Sequence, residues 1–133
     1  MSAADAPCPC GRVDAKGRAR RFGDCCAPIL VDASRAADPE SLMRSRYTAF
    51  VLADIQHLLA TWHPSTRPAT LDLEPQIKWL GLDVKQIAQS DSTHGTVEFV
   101  ARSRVQGQGQ RLHETSRFVH ENGQWFYVDG ELR

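Results

Sequence analysis

The residues of this 133-residue chain most suited to chemistry are its cysteines. All four lie within the first 26 residues, as the close pairs Cys8 with Cys10 and Cys25 with Cys26. A structural Zn²⁺ site needs four thiolate or imidazole donors in a tetrahedral arrangement, and two close pairs joined by a flexible loop can supply them. The spacing therefore predicts one closed zinc site per chain, with these four cysteines as its ligands.

Two other uses of the cysteines stay open. A pair of disulfides would need an oxidising compartment, but the N-terminus has neither the basic nor the apolar region of a secretory signal. Adjacent cysteines such as Cys25 and Cys26 also cannot readily bridge to each other, because their Cα atoms are too close. We therefore expect a cytoplasmic protein with reduced cysteines, and a redox or thiol-reactive role is the main alternative to structural zinc.

The charged side chains balance over the whole chain, with 16 basic and 16 acidic residues. No apolar stretch approaches the ~20 residues of a membrane span, so we expect no membrane partner. The balance fails in the loop between the cysteine pairs, which is rich in basic residues: Arg12, Lys16, Arg18, Arg20 and Arg21. These side chains either offset the charge of the thiolates or contact an anionic partner, for which Arg18, Arg20 and Arg21 are the candidates.

The loop is followed by a segment with the pattern of an amphipathic helix. Asp38 suits the N-cap, Pro39 the first helical position and Glu40 the first turn. Apolar residues then recur at a spacing of three and four, and Pro64 ends the pattern. They are Leu42, Met43, Tyr47, Phe50, Val51, Ile55, Leu58, Leu59 and Trp62. An interruption near Ala53 would divide this run into two packed helices.

The C-terminal half changes to the pattern of β-strands. Residues 79–87, 96–105, 111–120 and 125–128 are rich in β-branched and aromatic side chains. Turn residues separate them, at 107–109 and at Asn122–Gly123, a pair that suits a type I′ hairpin. We therefore predict an α+β fold, in which helices pack on a curved antiparallel sheet of four strands or more.

Several motifs together resemble the YchJ-like family of bacterial proteins. They are CPCG at 8–11, CC at 25–26, LMRSRYTAF at 42–50, ATWHPSTR at 60–67, WLGL at 79–82, GTVEFVAR at 95–102 and LHETSRF at 112–118. The resemblance implies a SEC-C zinc motif over residues 1–30, joined to a cone-shaped nuclear transport factor 2-like (NTF2-like) domain over residues 38–133. It also carries the four ligands over to the same four cysteines. The family's molecular function is unassigned.

One departure from the SEC-C pattern concerns the loop between the two metal pairs. This loop is longer and richer in arginine here, with Phe22 near the usual aromatic position. Cys26 stands where the motif often has a histidine. Because the first 26 residues have few large apolar side chains, we expect metal to order them and the remainder to fold around its own core.

Polar residues that would face the cone or ring its mouth are the candidates for a functional site. They are Tyr47, His63, His113, Glu114 and Ser116, with Arg44 and Arg46 nearby on the helix. Strand alternation places Leu112, Glu114, Ser116 and Phe118 on one face of their strand and His113 on the other. Glu114 with His63 is the best acid–base pair for an enzyme. The simpler interpretation pairs Glu114 with Arg44 or Arg46, because an unpaired buried carboxylate is costly.

Two functions follow as hypotheses. The favoured one is a zinc-stabilised binding or adaptor module that is not an enzyme, whose arginine-rich knuckle contacts a protein and whose cone offers a docking face or a small-ligand pocket. Nucleic acid is a less favoured partner, and a homodimer through the sheet is a further expectation from the resemblance. The alternative is a hydrolase- or isomerase-type enzyme acting inside the cone. An open cavity containing Glu114 unpaired with arginine favours the enzyme, and a filled cone favours the adaptor.

Overall fold

The computed structural model describes residues 3–133, in which short helices precede four strands. The α-helices are α1 (Ala27–Val31), α2 (Pro39–Leu52) and α3 (Ile55–Ala60), and the strands are β1 (Ile77–Asp91), β2 (His94–Val105), β3 (Gln108–Glu121) and β4 (Gln124–Leu132). Single 3₁₀ turns occupy Ala3–Asp5, Phe22–Asp24 and Ala33–Arg35. The predicted α+β class is confirmed.

The helical segment begins and divides where the sequence predicts. The Asp38 carboxylate caps α2 by accepting a hydrogen bond of 2.7 Å from the Ser41 N–H, and Pro39 occupies the first helical position. Ala53 ends α2 in the left-handed conformation, with φ 57°. The side chain of Asp54 then caps α3 by accepting from the His57 N–H at 3.0 Å. The interruption near Ala53, which periodicity alone left open, is therefore present.

The end of α3 differs from the prediction that the helix runs to Pro64. The helix stops at Ala60 because the next residues pair with β4. The Tyr127 N–H donates to the Thr61 carbonyl at 2.8 Å, and the His63 N–H donates to the Tyr127 carbonyl at 2.7 Å. This short parallel bridge competes with further helical hydrogen bonds and ties α3 to the sheet.

All four strands run antiparallel in the order β1-β2-β3-β4. The Asn122–Gly123 turn has positive φ at both residues, 51° and 77°, as a type I′ hairpin requires. The turn predicted at 107–109 is instead centred on Gln106 and Gly107, again with positive φ, and β2 and β3 extend to meet it. Register shifts leave extra residues in β1 and β4, and bulges of this kind bend a strand.

The cysteine segment packs into the same core as the helices and the sheet. Cys8, Cys10 and Cys26 belong to one buried cluster that also contains apolar residues from α1, α2 and three strands: Ile29, Leu42, Met43, Tyr47, Val97, Phe99, Ala101, Phe118 and Trp125. We expected the N-terminal knuckle and the cone to have separate cores. The packing departs from that expectation, because α2 contributes side chains to both sides.

Candidate metal centre and the cavity of the cone

Local backbone structure brings the two cysteine pairs together. Cys8 and Cys10 lie in a tight turn that ends at Gly11, whose φ of 75° suits glycine and whose N–H donates to the Cys8 carbonyl at 3.1 Å. The Cys8 N–H donates to the Arg20 carbonyl at 2.8 Å, so the loop folds back as a small hairpin. Cys25 and Cys26 follow directly, at the start of α1.

The four cysteine sulfurs form one cluster. They all lie within 4.8 Å of one another, and the Sγ atoms of Cys10 and Cys25 are 3.7 Å apart. None of the cysteines is in a disulfide. Cys25 is partly exposed and the other three are buried. The donor set and its geometry fit a metal ion held by all four predicted ligands.

The ionisation of the thiols reflects their mutual contact. Hydrogen bonding from Cys10 holds the pKa of the Cys8 thiol far below its usual range, and hydrogen bonding from Cys25 lowers the pKa of Cys10 to about 7. Hydrogen bonding to Cys10 raises the pKa values of Cys25 and Cys26. Because the thiolate is the form that binds metal, a divalent ion would displace the protons that the four thiols still carry.

Side chains from α2 support the cluster from one side. The hydroxyl of Thr48, which is fully buried, donates to Cys26 Sγ at 3.3 Å and lies 3.9 Å from Cys8 Sγ. The Arg44 guanidinium donates to the Cys10 carbonyl at 2.9 Å and to the Glu40 carboxylate at 2.7 Å. The contact of Thr48 with the cysteines was not predicted from the sequence. Its position beside the apolar stripe of α2 indicates a buried side chain but does not identify its partner.

The cone contains a second site, an open cavity of about 530 Å³ between α2, the loop before β1 and the inner face of the sheet. Its walls are mostly apolar and include the aromatic side chains of Tyr47, Phe50, Trp62, Trp79, Phe99, Phe118 and Tyr127. The cone is therefore not filled by its own side chains. A volume of this size lies within the range of about 300–1,000 Å³ that is typical of small-molecule sites.

The predicted strand alternation in β3 is confirmed, because Leu112, Glu114, Ser116 and Phe118 all line the cavity. The Glu114 carboxylate accepts a hydrogen bond of 2.6 Å from the Ser116 hydroxyl. Within residues 3–133 this carboxylate forms no ion pair. The expected ion pair of Glu114 with Arg44 or Arg46 is therefore wrong, since both arginines are held elsewhere.

The two arginines lie on different sides of α2. Arg46 lines the cavity and is only 6% exposed, with Nη1 donating to the Leu58 carbonyl at 2.8 Å and to Thr61 Oγ1 at 2.7 Å. Arg44 does not line the cavity and instead contacts the cysteine turn, which corrects its predicted place in the pocket. Burial lowers the pKa of Arg46 to about 10, so the side chain remains charged at neutral pH.

His63 does not join Glu114 in the cavity. Its Nδ1 lies 2.7 Å from Ser65 Oγ, and its Nε2 contacts the Glu121 carboxylate. It is not among the residues that line the cavity. The structure therefore does not bring the predicted acid–base pair together, because α3 ends early and places His63 beside the last turn of the sheet.

The arginines of the N-terminal loop have different surroundings. Arg21 pairs with Asp24 at 3.0 Å and with Asp5 at 3.4 Å. Arg20 is partly buried and lines a smaller cavity of about 250 Å³ beside the cysteines. Arg18 is exposed and forms no ion pair within the described part of the chain. Arg18 is thus the member of this predicted contact set whose guanidinium is most available.

Fold and site together define an NTF2-like cone with a cysteine cluster packed against its first long helix. The family model described as "YchJ, middle NTF2-like domain" matches residues 38–130. The chain belongs to this YchJ family of NTF2-like proteins, which confirms the resemblance seen in the motifs. In addition, no helix within residues 3–133 has the length and apolar character needed to span a membrane.

Curated relatives agree over nearly the whole chain. A UPF0225 protein of Polaromonas sp. (strain JS666) is 55% identical over 131 residues, covering 96% of this chain and 94% of the relative. A UPF0225 protein of Bordetella parapertussis is 53% identical over 133 residues, again covering 96% and 94%. The family is bacterial, and these names assign no activity.

Two solved structures share the fold. The solution structure of a SEC-C motif containing protein from Rhodopseudomonas palustris is 34% identical, with a TM-score of 0.81, and the match covers 95% of this chain and 98% of that one. The crystal structure of a SEC-C motif containing protein from Psychrobacter arcticus is 27% identical, with a TM-score of 0.80, covering 100% and 86%. The cysteine cluster of this chain therefore belongs to a SEC-C type of protein.

Proposed function

We propose that this protein is a zinc-stabilised binding module whose cone takes up a small, largely apolar ligand. The observation that carries the proposal is the open cavity of about 530 Å³ lined by aromatic side chains, with a carboxylate that forms no ion pair with an arginine among residues 3–133. A purely structural cone would gain stability by filling such a space, because unfilled volume in a core is costly. The small-ligand pocket is therefore favoured over the docking face as the use of the cone.

Zinc is the proposed metal, held by Cys8, Cys10, Cys25 and Cys26. A tetrahedral ion with Zn–S bonds of about 2.3 Å requires sulfur atoms about 3.8 Å apart. The Cys10 and Cys25 sulfurs, at 3.7 Å, are close to that separation. Four sulfur donors close the coordination sphere, so the metal has no open position for water and its role is structural. Zinc thiolates also persist best under reducing conditions, which supports the cytoplasm as the location.

Native mass spectrometry of the protein taken directly from cell extract tests both parts of the proposal. We expect one zinc per chain and a retained small molecule in a fraction of the protein. Leu112→Trp, which fills the mouth of the cavity with a larger side chain, should lose the small molecule and keep the zinc. Protein that carries no zinc would contradict the metal part of the proposal. A Leu112→Trp variant that retains as much of the small molecule as the native protein would contradict the ligand part.

A protein partner at the arginine-rich loop is a second, separate proposal. The exposed Arg18 guanidinium supports it, together with the basic side chains of Arg20 and Arg21. Nucleic acid is less favoured because the chain has no net charge. Dimerisation through the outer face of the sheet stays a prediction. Analytical ultracentrifugation over a concentration series would show a single monomeric species if that prediction is wrong.

An enzyme acting inside the cone remains the alternative function, and the open cavity with Glu114 unpaired with arginine is the outcome that we expected to favour it over an adaptor with a filled cone. The Glu114 carboxylate faces the cavity beside the Ser116 hydroxyl, so Glu114 is a candidate general base without His63. If the retained molecule is converted to a product on incubation, Glu114→Gln should stop that conversion and leave binding detectable. An unchanged ligand after prolonged incubation would support the binding module.

A further inference from the structure

The aromatic walls of the cavity give it a particular electrostatic character. Tyr47 and Trp79 meet edge to face, with ring centroids 5.7 Å apart, and Phe50 lies against Trp79 at 5.8 Å. These rings form a corner between α2 and β1. The faces of aromatic rings carry partial negative charge and attract cations, most strongly when water is excluded. Apolar walls of this kind therefore suit a flat or branched apolar body and do not oppose a nearby positive charge.

The charged groups that line the cavity have an excess of negative charge. Glu114 lies on the inner wall, and Asp72 and Glu74 line the cavity from the loop that precedes β1. Arg46 is the only basic side chain of the lining within the described residues. A ligand that entered would therefore meet a field that favours a positive group over a negative one.

The Arg46 guanidinium already has interaction partners within the protein. Its Nη1 donates two hydrogen bonds toward α3, to the Leu58 carbonyl and to Thr61 Oγ1. Its guanidinium carbon lies 5.3 Å from the ring centre of Trp62 and 4.5 Å from that of Tyr127. A carbonyl, a hydroxyl and two aromatic faces thus contact the charge, and Glu114 attracts it over a longer distance without forming an ion pair. An anionic ligand would have to compete with these partners for Arg46, and the Glu114 carboxylate would repel it.

Glu114, in contrast, has spare capacity to accept hydrogen bonds. A carboxylate offers about four acceptor positions, and the structure gives this one a single side-chain donor, the Ser116 hydroxyl at 2.6 Å. An acceptor-only group in a mostly apolar cavity selects a ligand that brings a donor. A charged donor is preferred, because a hydrogen bond between ions is about twice as strong as a neutral one.

We propose that the cavity binds a protonated amine carried on an aromatic or branched aliphatic body. The ammonium lies against Glu114, and the apolar body packs in the corner formed by Tyr47, Phe50 and Trp79. The inference rests on the proposed function of the cone as a small-ligand site, and it adds the chemical class of that ligand.

Three probes of one shape test the inference on the zinc-loaded, full-length protein: 3-phenylpropylamine, 3-phenylpropanol and 3-phenylpropionate. Their binding is measured near neutral pH by titration calorimetry and by amide chemical-shift changes. We expect the amine to bind about tenfold more tightly than the alcohol, since a hydrogen bond between ions is about twice as strong as one from a neutral hydroxyl. The carboxylate should bind most weakly.

Glu114→Gln removes the charge and keeps the shape, so amine affinity should fall about tenfold while alcohol affinity changes by less than about twofold. Glu98→Gln is the matched control. Glu98 lies on β2, does not line the cavity and contacts His113 Nε2 at 2.7 Å, so this change should leave all three affinities in place. The ranking of the probes on the unmodified protein is decisive even if the Glu114 variant folds poorly.

The other outcomes separate this inference from the proposed function. Equal affinity for the amine and the alcohol would overturn the amine class and leave a general apolar pocket standing. Tightest binding of the carboxylate would also overturn it and would identify Arg46 as the recognising group. If none of the probes binds, both the amine class and the small-ligand function of the cone are wrong.

Discussion

The cysteine cluster and the cavity lie on opposite sides of α2, and they are built in different ways. Arg44 and Thr48, one turn apart, contact the cysteine segment. Arg46, Tyr47 and Phe50 line the cavity from the other side. The four clustered cysteines come from one stretch of chain, residues 8–26, whereas the cavity needs α2, a loop and the sheet. A local site can thus be recognised from spacing, and a site assembled from distant elements cannot.

Removal of the N-terminal segment is the strongest test of whether the two regions are separable. A chain that begins at Asp38 would expose the Leu42 and Thr48 side of α2, which is fully buried in the intact protein. We expect this truncation to lose cooperative unfolding, because several buried side chains are removed at about 2–5 kcal/mol each. Urea unfolding followed by tryptophan fluorescence provides the measurement. A sigmoidal transition with native-like stability would restore the view that the cone has its own core.

The loss of one metal ligand gives the next largest effect. Cys25→Ser removes a donor from a site whose zinc affinity, roughly 10–16 kcal/mol, is shared among four sulfurs. We expect zinc affinity to fall about a thousandfold, measured by competition with a chromophoric chelator. Arg18→Gln is the control on the same loop, and its effect on zinc affinity should stay within about twofold because exposed charges contribute little. Similar losses in the two variants would contradict a four-cysteine site.

The cysteine cluster could be predicted from the sequence, whereas the packing of the cysteine segment against α2 could not. The cysteine cluster was predictable because two cysteine pairs fall within 26 residues. The face of β3 that carries Glu114 was predictable because side chains alternate along a strand. Arg44 and Arg46 could not share one site, since two residues along a helix differ by about 200° around its axis. The separation of His63 from Glu114 depends on where α3 ends, which a tertiary contact with β4 determines.

A change to acid pH tests the interface between α2 and α3. His57 is 5% exposed, and its Nε2 lies 2.9 Å from Ser45 Oγ, whose own hydroxyl donates to the Leu42 carbonyl. Nε2 therefore carries the proton and donates to Ser45. Burial lowers the pKa of His57 to about 4, below the value of about 6.5 expected in the unfolded chain.

Because the unfolded chain binds the proton more readily, this histidine stabilises the fold fully above about pH 6.5. The contribution declines as the pH falls to about 4, by about 3 kcal/mol in total. Urea unfolding of zinc-matched samples at several pH values should show this decline in the native chain and a shallower one in His57→Gln. Parallel pH dependence in the two proteins would mean that His57 is not the titrating group.

The smallest expected effect concerns Thr48, which links α2 to the cysteine cluster. A tetrathiolate site carries excess negative charge, and the Thr48 hydroxyl, donating to Cys26 Sγ at 3.3 Å, is a buried donor that stabilises it. Thr48→Val keeps the volume and removes the donor. We expect zinc affinity to fall about tenfold, while the affinity of the cavity for 3-phenylpropanol stays the same. Thr48→Ser, which keeps the hydroxyl, should retain most of the zinc affinity. If serine and valine weaken zinc binding equally, the methyl group supports the site by packing and the hydroxyl does not matter.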